Sequence, residues 1–534
     1  MNSFSPQSGF PTSNPPRRKK IFFLPGAFII FAPAKERADQ VNVNSRCRWP
    51  VSQTPTTIRA MSSRSLIVLA LWSAIYLPAL GSLEIKGEEG RRILPAVAML
   101  EDGNYIVPQI GSEPYLRKPP LVNWLVAASF KLFGARNEWT ARLPSAICVL
   151  AVAIAFLVVA RSSLGPNGSF IAAIIWLTNF GMIEKGRLIE IEALYVSLFA
   201  LAIICWLSWW REKRSPWLTW SVPFIFLGLG LLAKGPVHLF FFYSVVLAVL
   251  WRARELRMLL SVAHFIGILI MLGIFAAWAI PYLQATSGGN ATHVWSRQFS
   301  GRLSGEDFKF TGWILNIPRA LGYFLPWLLL LPLIFRARFA DEKKEQLAHA
   351  LAWGIAIPFV IINLAPGSLP RYAMPLVAPA AWLLAMTLTA DHVAWPRSLG
   401  GKEVDRTRRF RWITAIAIAA AASMCLYASV LVPKLQKRQK IKTIAAQIET
   451  AVPPGETLYA VDPDYQPFLF YVRRPLKYVD RVDELPHETH FFLLRARDEE
   501  AAGQTTQFAP RHPQVALRIQ DYRNWKSVLF AVAP

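Results

Sequence analysis

Long apolar runs recur along this chain, each close to the length of a bilayer crossing and separated from the next by a short polar connection. They lie near residues 66–83, 143–160, 169–183, 193–210, 217–233, 236–251, 259–281, 320–335, 347–364, 371–389 and 411–432. The pattern predicts an α-helical polytopic membrane protein with about eleven transmembrane helices.

Two further apolar stretches, Arg91–Leu100 and Pro119–Phe133, are too short to cross. They are expected to lie in the membrane interface, with Trp124 and Lys131 reaching toward headgroups. Beyond Pro433 the pattern changes. A basic helical stretch at 434–449 precedes the β-like runs TLYAVD, FLFYV, LKYVD and HFFLLRA, which Pro, Gly and Asp divide. These predict a small α/β domain outside the membrane. The apolar run 21–34 is too short to span, and no small-x-small cleavage site follows it. The expected division is therefore 1–60, a disordered or misassigned extension with Met61 as the functional start; 61–432, a membrane domain; and 433–534, an extracytoplasmic α/β domain.

Composition supports a membrane protein, with 54% hydrophobic and only 17% charged residues. The net charge of +24 raises the question of nucleic acid, yet the cations are scattered between apolar runs instead of forming one patch, so no nucleic-acid partner is expected. The positive-inside rule accounts for them better. REKR at 211–214, WRARELR at 251–257, RARFADEKK at 336–344 and PRSLGGKEVDRTRRFR at 396–411 fall on alternate connections and are assigned to the cytoplasm. The opposite face then receives the loop 84–142, the turns at Glu192 and Lys234, the loop 283–319, the turn 365–370 and everything beyond Pro433. Cys47, Cys148, Cys205 and Cys425 have no paired spacing, and the eight histidines form no cluster. No metal site or cofactor is expected.

The outer segments carry the candidate chemistry. Glu88 and Glu89 stand with Arg91 and Arg92 at the exit of the first run, in KGEEGRR. The same loop continues through EDGNYIVP and YLRKPP, and later turns read GRLIEIEAL, LLAKGP and SLPRYAMP. In this order the motifs resemble those of the polyprenyl-phosphate-sugar-dependent integral membrane glycosyltransferases. These have the fold called GT-C and include the protein O-mannosyltransferases and the aminoarabinose transferases of lipid A. The resemblance covers roughly residues 65–390.

The resemblance implies transfer of a sugar from a polyprenyl-phosphate donor to a lipid, glycan or protein acceptor at the extracytoplasmic face, by one inverting displacement. A carboxylate would take the acceptor's proton, and cations would offset the charge on the departing phosphate. Where the family usually has Asp-Glu, this chain has Glu88-Glu89, which casts doubt on which of the two acts. Glu88 is assigned as base, with Glu89 in positioning or acceptor binding. Glu192 matches a second acidic position, and Glu190 stands two residues away. A carboxylate at a span boundary is costly unless paired, and Arg187 in the same turn is a candidate partner for it. With Glu88, Glu89 and Glu192 as the catalytic candidates, Lys118 and Lys234, each followed by proline or Gly-Pro, together with Arg91, Arg187, Arg302, Arg371 and Tyr372, are the candidate substrate-binding residues. For the cations, plain headgroup snorkelling is the alternative. A transporter or flippase of an anionic lipid is the competing class. Transporters place ionisable groups near the midplane, whereas nearly all of these fall in outer loops.

Overall fold

The computed structural model describes residues 63–111, 113–286, 295–296, 310–505, 509–520 and 528–533. The expected extension at 1–60, its start at Met61, and Arg302 lie outside the described residues.

Most of the apolar runs form helices. These begin with α1 (Ser63–Tyr76), α2 (Gly90–Asp102), α3 (Leu121–Phe133), α4 (Glu138–Val158), α5 (Arg161–Leu177) and α6 (Phe180–Lys185). They continue with α7 (Ile191–Arg211), α8 (Pro216–Ala233), α9 (Val237–Arg252) and α10 (Val262–Ala285). Later helices cover Glu342–Leu364, Val377–Thr389 and Arg406–Leu426. Among the described residues seven helices are long and apolar enough to cross a bilayer, or eight if one bent pair is a single span. Helix α7 is buried along nearly its whole length, whereas the segment Arg406–Gln436 is almost entirely on the outside of the bundle. The bundle is thus built around α7.

Close approach of backbones drives helix packing where lipid removes the usual hydrophobic gain. Gly267 on α10 illustrates this. A Cβ there would sit 3.1 Å from the Trp220 carbonyl oxygen and 3.2 Å from the Phe224 ring on α8.

Two runs depart from the simple expectation of a straight span. The first helix stops at Tyr76, and turns fill residues 77–82, because Pro78 has no amide to continue the ladder. The run at 320–335 is also broken. Helices Asn316–Gly322 and Trp327–Arg336 meet at 95°. Pro326 lies at the bend, and the carbonyls left over are taken by α6, with the amide of Phe180 donating to Leu325 and that of Gly181 to Tyr323.

The helices define two ends of the bundle. At one end Lys213 meets Glu255 at 2.6 Å and Arg211 meets Asp341 at 3.8 Å, joining three of the basic connections. At the other, Lys234 and Arg371 both meet Glu192.

The short apolar stretches after the first run form α2 and α3, as their pattern predicts. Lys131 is exposed, but the Trp124 indole donates to the Tyr105 carbonyl at 2.7 Å, so its polar edge is spent on protein. A two-residue hairpin, β1 (Gln109–Ile110) with β2 (Glu113–Pro114), lies between the two helices.

The β-like runs form a five-stranded sheet of β3 (Leu458–Val461), β4 (Leu476–Val479), β5 (Phe491–Arg495), β6 (Gln514–Ile519) and β7 (Val528–Val532). Its order is β4-β3-β5-β7-β6. Strand β3 runs parallel to both β4 and β5, and β7 pairs antiparallel with β5 and β6. The run FLFYV is no strand but a short 3-10 turn, Pro467–Phe470, whose Phe470 stacks on Phe130 of α3 with ring centres 6.1 Å apart.

One contact ties this region to the segment that follows α1. The helix Ile441–Ala451 receives no cap from its own Lys440. Instead the buried Glu84 carboxylate accepts from the amides of Ile441 at 2.9 Å and Lys442 at 3.1 Å. Glu84→Ala is therefore expected to destabilise this helix by about 1 kcal/mol. Hydrogen exchange checks it: the Ile441 and Lys442 amides should lose protection while those of α7 keep theirs.

Candidate active site

Glu88 and Glu89 sit on one 3-10 turn, Gly87–Glu89, that leads into α2. Neighbouring positions on such a turn point apart, and the two carboxylates meet opposite surroundings. Glu89 is only 3% exposed. Arg142, from α4, grips it with two parallel bonds, Nε to Oε1 and Nη2 to Oε2, both 2.8 Å. The Ile189 amide adds a third bond to Oε1 at 3.1 Å. The remaining donors of Arg142 go to carbonyls at the end of the first run: Leu80 at 3.0 Å, Leu83 at 2.7 Å and Glu84 at 3.1 Å. Such a pair is tolerable in a buried place because every charged group has its hydrogen bonds. Glu89 therefore does not face solvent, as the sequence alone had suggested it would.

Glu88 does. Its side chain is 35% exposed, with Arg91 Nη1 3.0 Å from Oε2. Arg91 itself lies under the ring of Tyr465, 4.0 Å from its centre, and Arg92 turns away to donate to the Tyr115 hydroxyl at 2.9 Å.

The second acidic position is in the first turn of α7. Glu192 is buried, and Lys234, at the end of α8, donates to its Oε1 at 3.2 Å. Arg371, in the turn Pro370–Leu376, brings Nε to 2.9 Å from the same oxygen. That contact is an ion pair without hydrogen-bond direction: among the described residues the Arg371 Nε–H has no acceptor. The rings of Tyr372 and Tyr195 flank the Lys234 ammonium at 4.8 and 5.1 Å. The structure thus brings Glu192, Lys234, Arg371 and Tyr372 together, residues that the sequence spreads over 180 positions.

Arg187 is elsewhere. It donates to the Ile75 carbonyl at 2.7 Å and to that of Pro78, closing the end of α1, and does not serve as the partner of Glu192. Lys118 is half-buried in the segment leading into α3. Glu190 pairs with the buried Lys185 at 3.1 Å, and Glu184 meets the same ammonium at 2.8 Å. Burial pushes the Glu190 carboxyl above its ordinary value, and the Lys185 charge only partly opposes this. Lys185 is held above the usual lysine value, since the two carboxylates outweigh its burial.

The turn from Gly186 to Glu190 connects the two clusters. Its Ile189 amide holds Glu89, and Glu192 follows three residues later. Sequence reasoning missed Arg142, Lys185 and Tyr195. Arg142 carried a signal, since a lone arginine inside an apolar helix demands a partner.

The family model for dolichyl-phosphate-mannose-protein mannosyltransferase matches residues 117–280. The undecaprenyl phosphate-alpha-4-amino-4-deoxy-L-arabinose arabinosyl transferase of Pseudomonas savastanoi pv. phaseolicola is 27% identical over 330 residues, covering 60% of each chain. A counterpart from Proteus mirabilis is 27% identical over 334 residues, covering 60% of this chain and 58% of its own. The chain therefore spans about three-fifths of the length of these curated relatives. The crystal structure of ArnT from Cupriavidus metallidurans bound to undecaprenyl phosphate superimposes with a TM-score of 0.63 at 17% identity, over 88% of this chain and 97% of that one. The architecture is the GT-C fold of integral membrane glycosyltransferases. The chain is similar to the ArnT proteins, in sequence over about three-fifths of its length and in fold.

Removing Arg142 would strand a buried carboxylate. Arg142→Leu is expected to destabilise the protein by about 3–5 kcal/mol. Thermal unfolding of the purified protein in detergent measures this, and an unchanged midpoint would count against the pair's role.

Proposed function

We propose that this protein transfers a glycosyl group from a polyprenyl-phosphate-linked sugar to a lipid A-like, glycan or protein acceptor at the extracytoplasmic face of the membrane. The observation that carries the reading is the unequal fate of the two adjacent carboxylates. Glu89 is locked to Arg142 and Ile189, whereas Glu88 is accessible and paired with Arg91.

Glu88 is the base. It takes the proton of the acceptor hydroxyl or amine while that atom bonds to the anomeric carbon, and the bond from that carbon to the phosphate oxygen breaks. The electron pair leaves with the polyprenyl phosphate. Lys234 and Arg371 meet the charge gathered there, with Tyr372 beside them. Glu192 keeps the two cations in place, and the unspent Nε–H of Arg371 supports a phosphate oxygen as its acceptor. Lys118 is a further candidate for the donor phosphate. The relatives act with undecaprenyl phosphate-linked 4-amino-4-deoxy-L-arabinose, which makes that donor the first to try.

This reading places eleven spans in the membrane, with the bent pair Asn316–Gly322 and Trp327–Arg336 serving as one of them. The basic connections lie in the cytoplasm, and residues 433–534 form an α/β domain on the outer side. Residues 61–432 form the catalytic membrane domain.

The test uses the full chain in membranes with labelled undecaprenyl-phosphate aminoarabinose and envelope lipid as acceptor. Wild type is expected to transfer label to a lipid product, and Glu88→Gln to lose transfer by about 100-fold or more, the range general-base catalysis supplies. Full transfer by Glu88→Gln would remove the base assignment; translocation of donor without any transfer would favour a flippase. With the same assay, Lys234→Ala and Arg371→Ala are each expected to raise the KM for donor and to lower kcat, since their contact with phosphate strengthens as charge builds.

A further inference from the structure

The C-terminal sheet reaches the carboxylate site through one turn. Strand β3 ends at Val461, and the chain then passes through Asp462, Pro463, Asp464 and Tyr465. Asp462 and Asp464 both have left-handed backbones, with φ of 39° and 58°. Two such residues within three positions are a conformation that the surroundings must impose. Arg495, at the end of β5, imposes it on Asp462 by donating from Nε to the backbone carbonyl at 2.6 Å and from Nη2 to the carboxylate.

The turn so held presents Tyr465 to the start of α2. Its ring lies 4.0 Å from the Arg91 guanidinium, and its carbonyl oxygen approaches Gly90 so closely that a Cβ there would lie 2.6 Å away. Gly90 has ordinary helical angles, so the close approach alone explains why no side chain fits. A flat guanidinium on a tyrosine face is a favourable and directional contact, and it fixes the free end of an otherwise flexible side chain. Arg91 is thereby left with its Nη1 on Glu88.

We propose that Tyr465 is a positioning residue for Glu88, acting through Arg91, so that the C-terminal sheet completes the carboxylate site of the membrane domain. The proposal rests on the reading of Glu88 as the reacting carboxylate. Other charged groups near this turn are already engaged: Glu89 with Arg142, Arg92 with Tyr115, and Asp462 with Arg495 and Arg497. Lys86 is exposed, and Asp464 lies in the presenting turn itself.

A thiol at position 88 serves as a probe that needs no substrate. In full-length Glu88→Cys protein, the pH dependence of iodoacetamide alkylation is followed by mass spectrometry on the peptide that contains position 88, with the native cysteines left in place. A nearby Arg91 lowers the pH at which the thiolate forms. Adding Tyr465→Ala is expected to release Arg91 and raise the alkylation midpoint by about one pH unit. Tyr465→Leu, which keeps apolar bulk but has no ring face, should give the same shift and guards against an alanine variant that fails to fold. Tyr465→Phe keeps the face and should leave the midpoint where it was. An equal midpoint with tyrosine, leucine and alanine overturns the proposal. Failure of the base reading looks different: Glu88→Gln would then transfer fully while the thiol midpoint still moved.

Discussion

The rest of the structure depends on a buried carboxylate and guanidinium, Glu89 and Arg142, that meet where the first helix ends. Removing two charges from water costs more than their attraction returns unless each remaining lone pair and N–H finds a partner. Here the partners are backbone groups of three separate segments: carbonyls at 80–84, the amide of Ile189, and the turn that bears Glu89 itself. The pair is thus a joint among α4, the end of the first run and the approach to α7. Alignment of everything nearby follows from it, including the accessible carboxylate one residue earlier.

A similar economy of charge recurs at α7. Glu192 lies in the first turn of the most enclosed helix and is matched by two cations from distant turns, and their aromatic neighbours shield the cluster. Arg187 serves the backbone in another way, by closing carbonyls that α1 leaves exposed. Most of the ionisable groups on this end of the bundle hold one another or hold the chain. Glu88, paired with Arg91 and with a third of its side chain in contact with solvent, is the more open of the two adjacent carboxylates.

Much of the helical architecture was legible in the sequence, because bilayer thickness fixes how long an apolar run must be. The two short helices α2 and α3 and most strands of the last hundred residues were legible for similar reasons of period and punctuation. The early stop at Tyr76 was harder to see, since the apolar run continues to Leu83 and the freed carbonyls are satisfied by arginines far along the chain. The bend near Pro326 depends likewise on amides from α6. At the site, motif order located both acidic positions and two of the cations that gather at Glu192. It had no means to separate Glu88 from Glu89, which are chemically identical neighbours. What separates them is Arg142, 53 residues onward, and only folding brings it there. Tyr465 lies still farther, in a segment with no motif of its own.

The cap that Glu84 places on helix Ile441–Ala451 has a consequence for biosynthesis. Donor and acceptor of that bond are 357 residues apart, and the Ile85 amide finds the Tyr471 hydroxyl across 386. During translation the first outer segment is threaded into the membrane long before its partners leave the ribosome. Until they arrive, the turn with both carboxylates lacks one wall. The carboxylate turn is therefore completed only once the last hundred residues have been made.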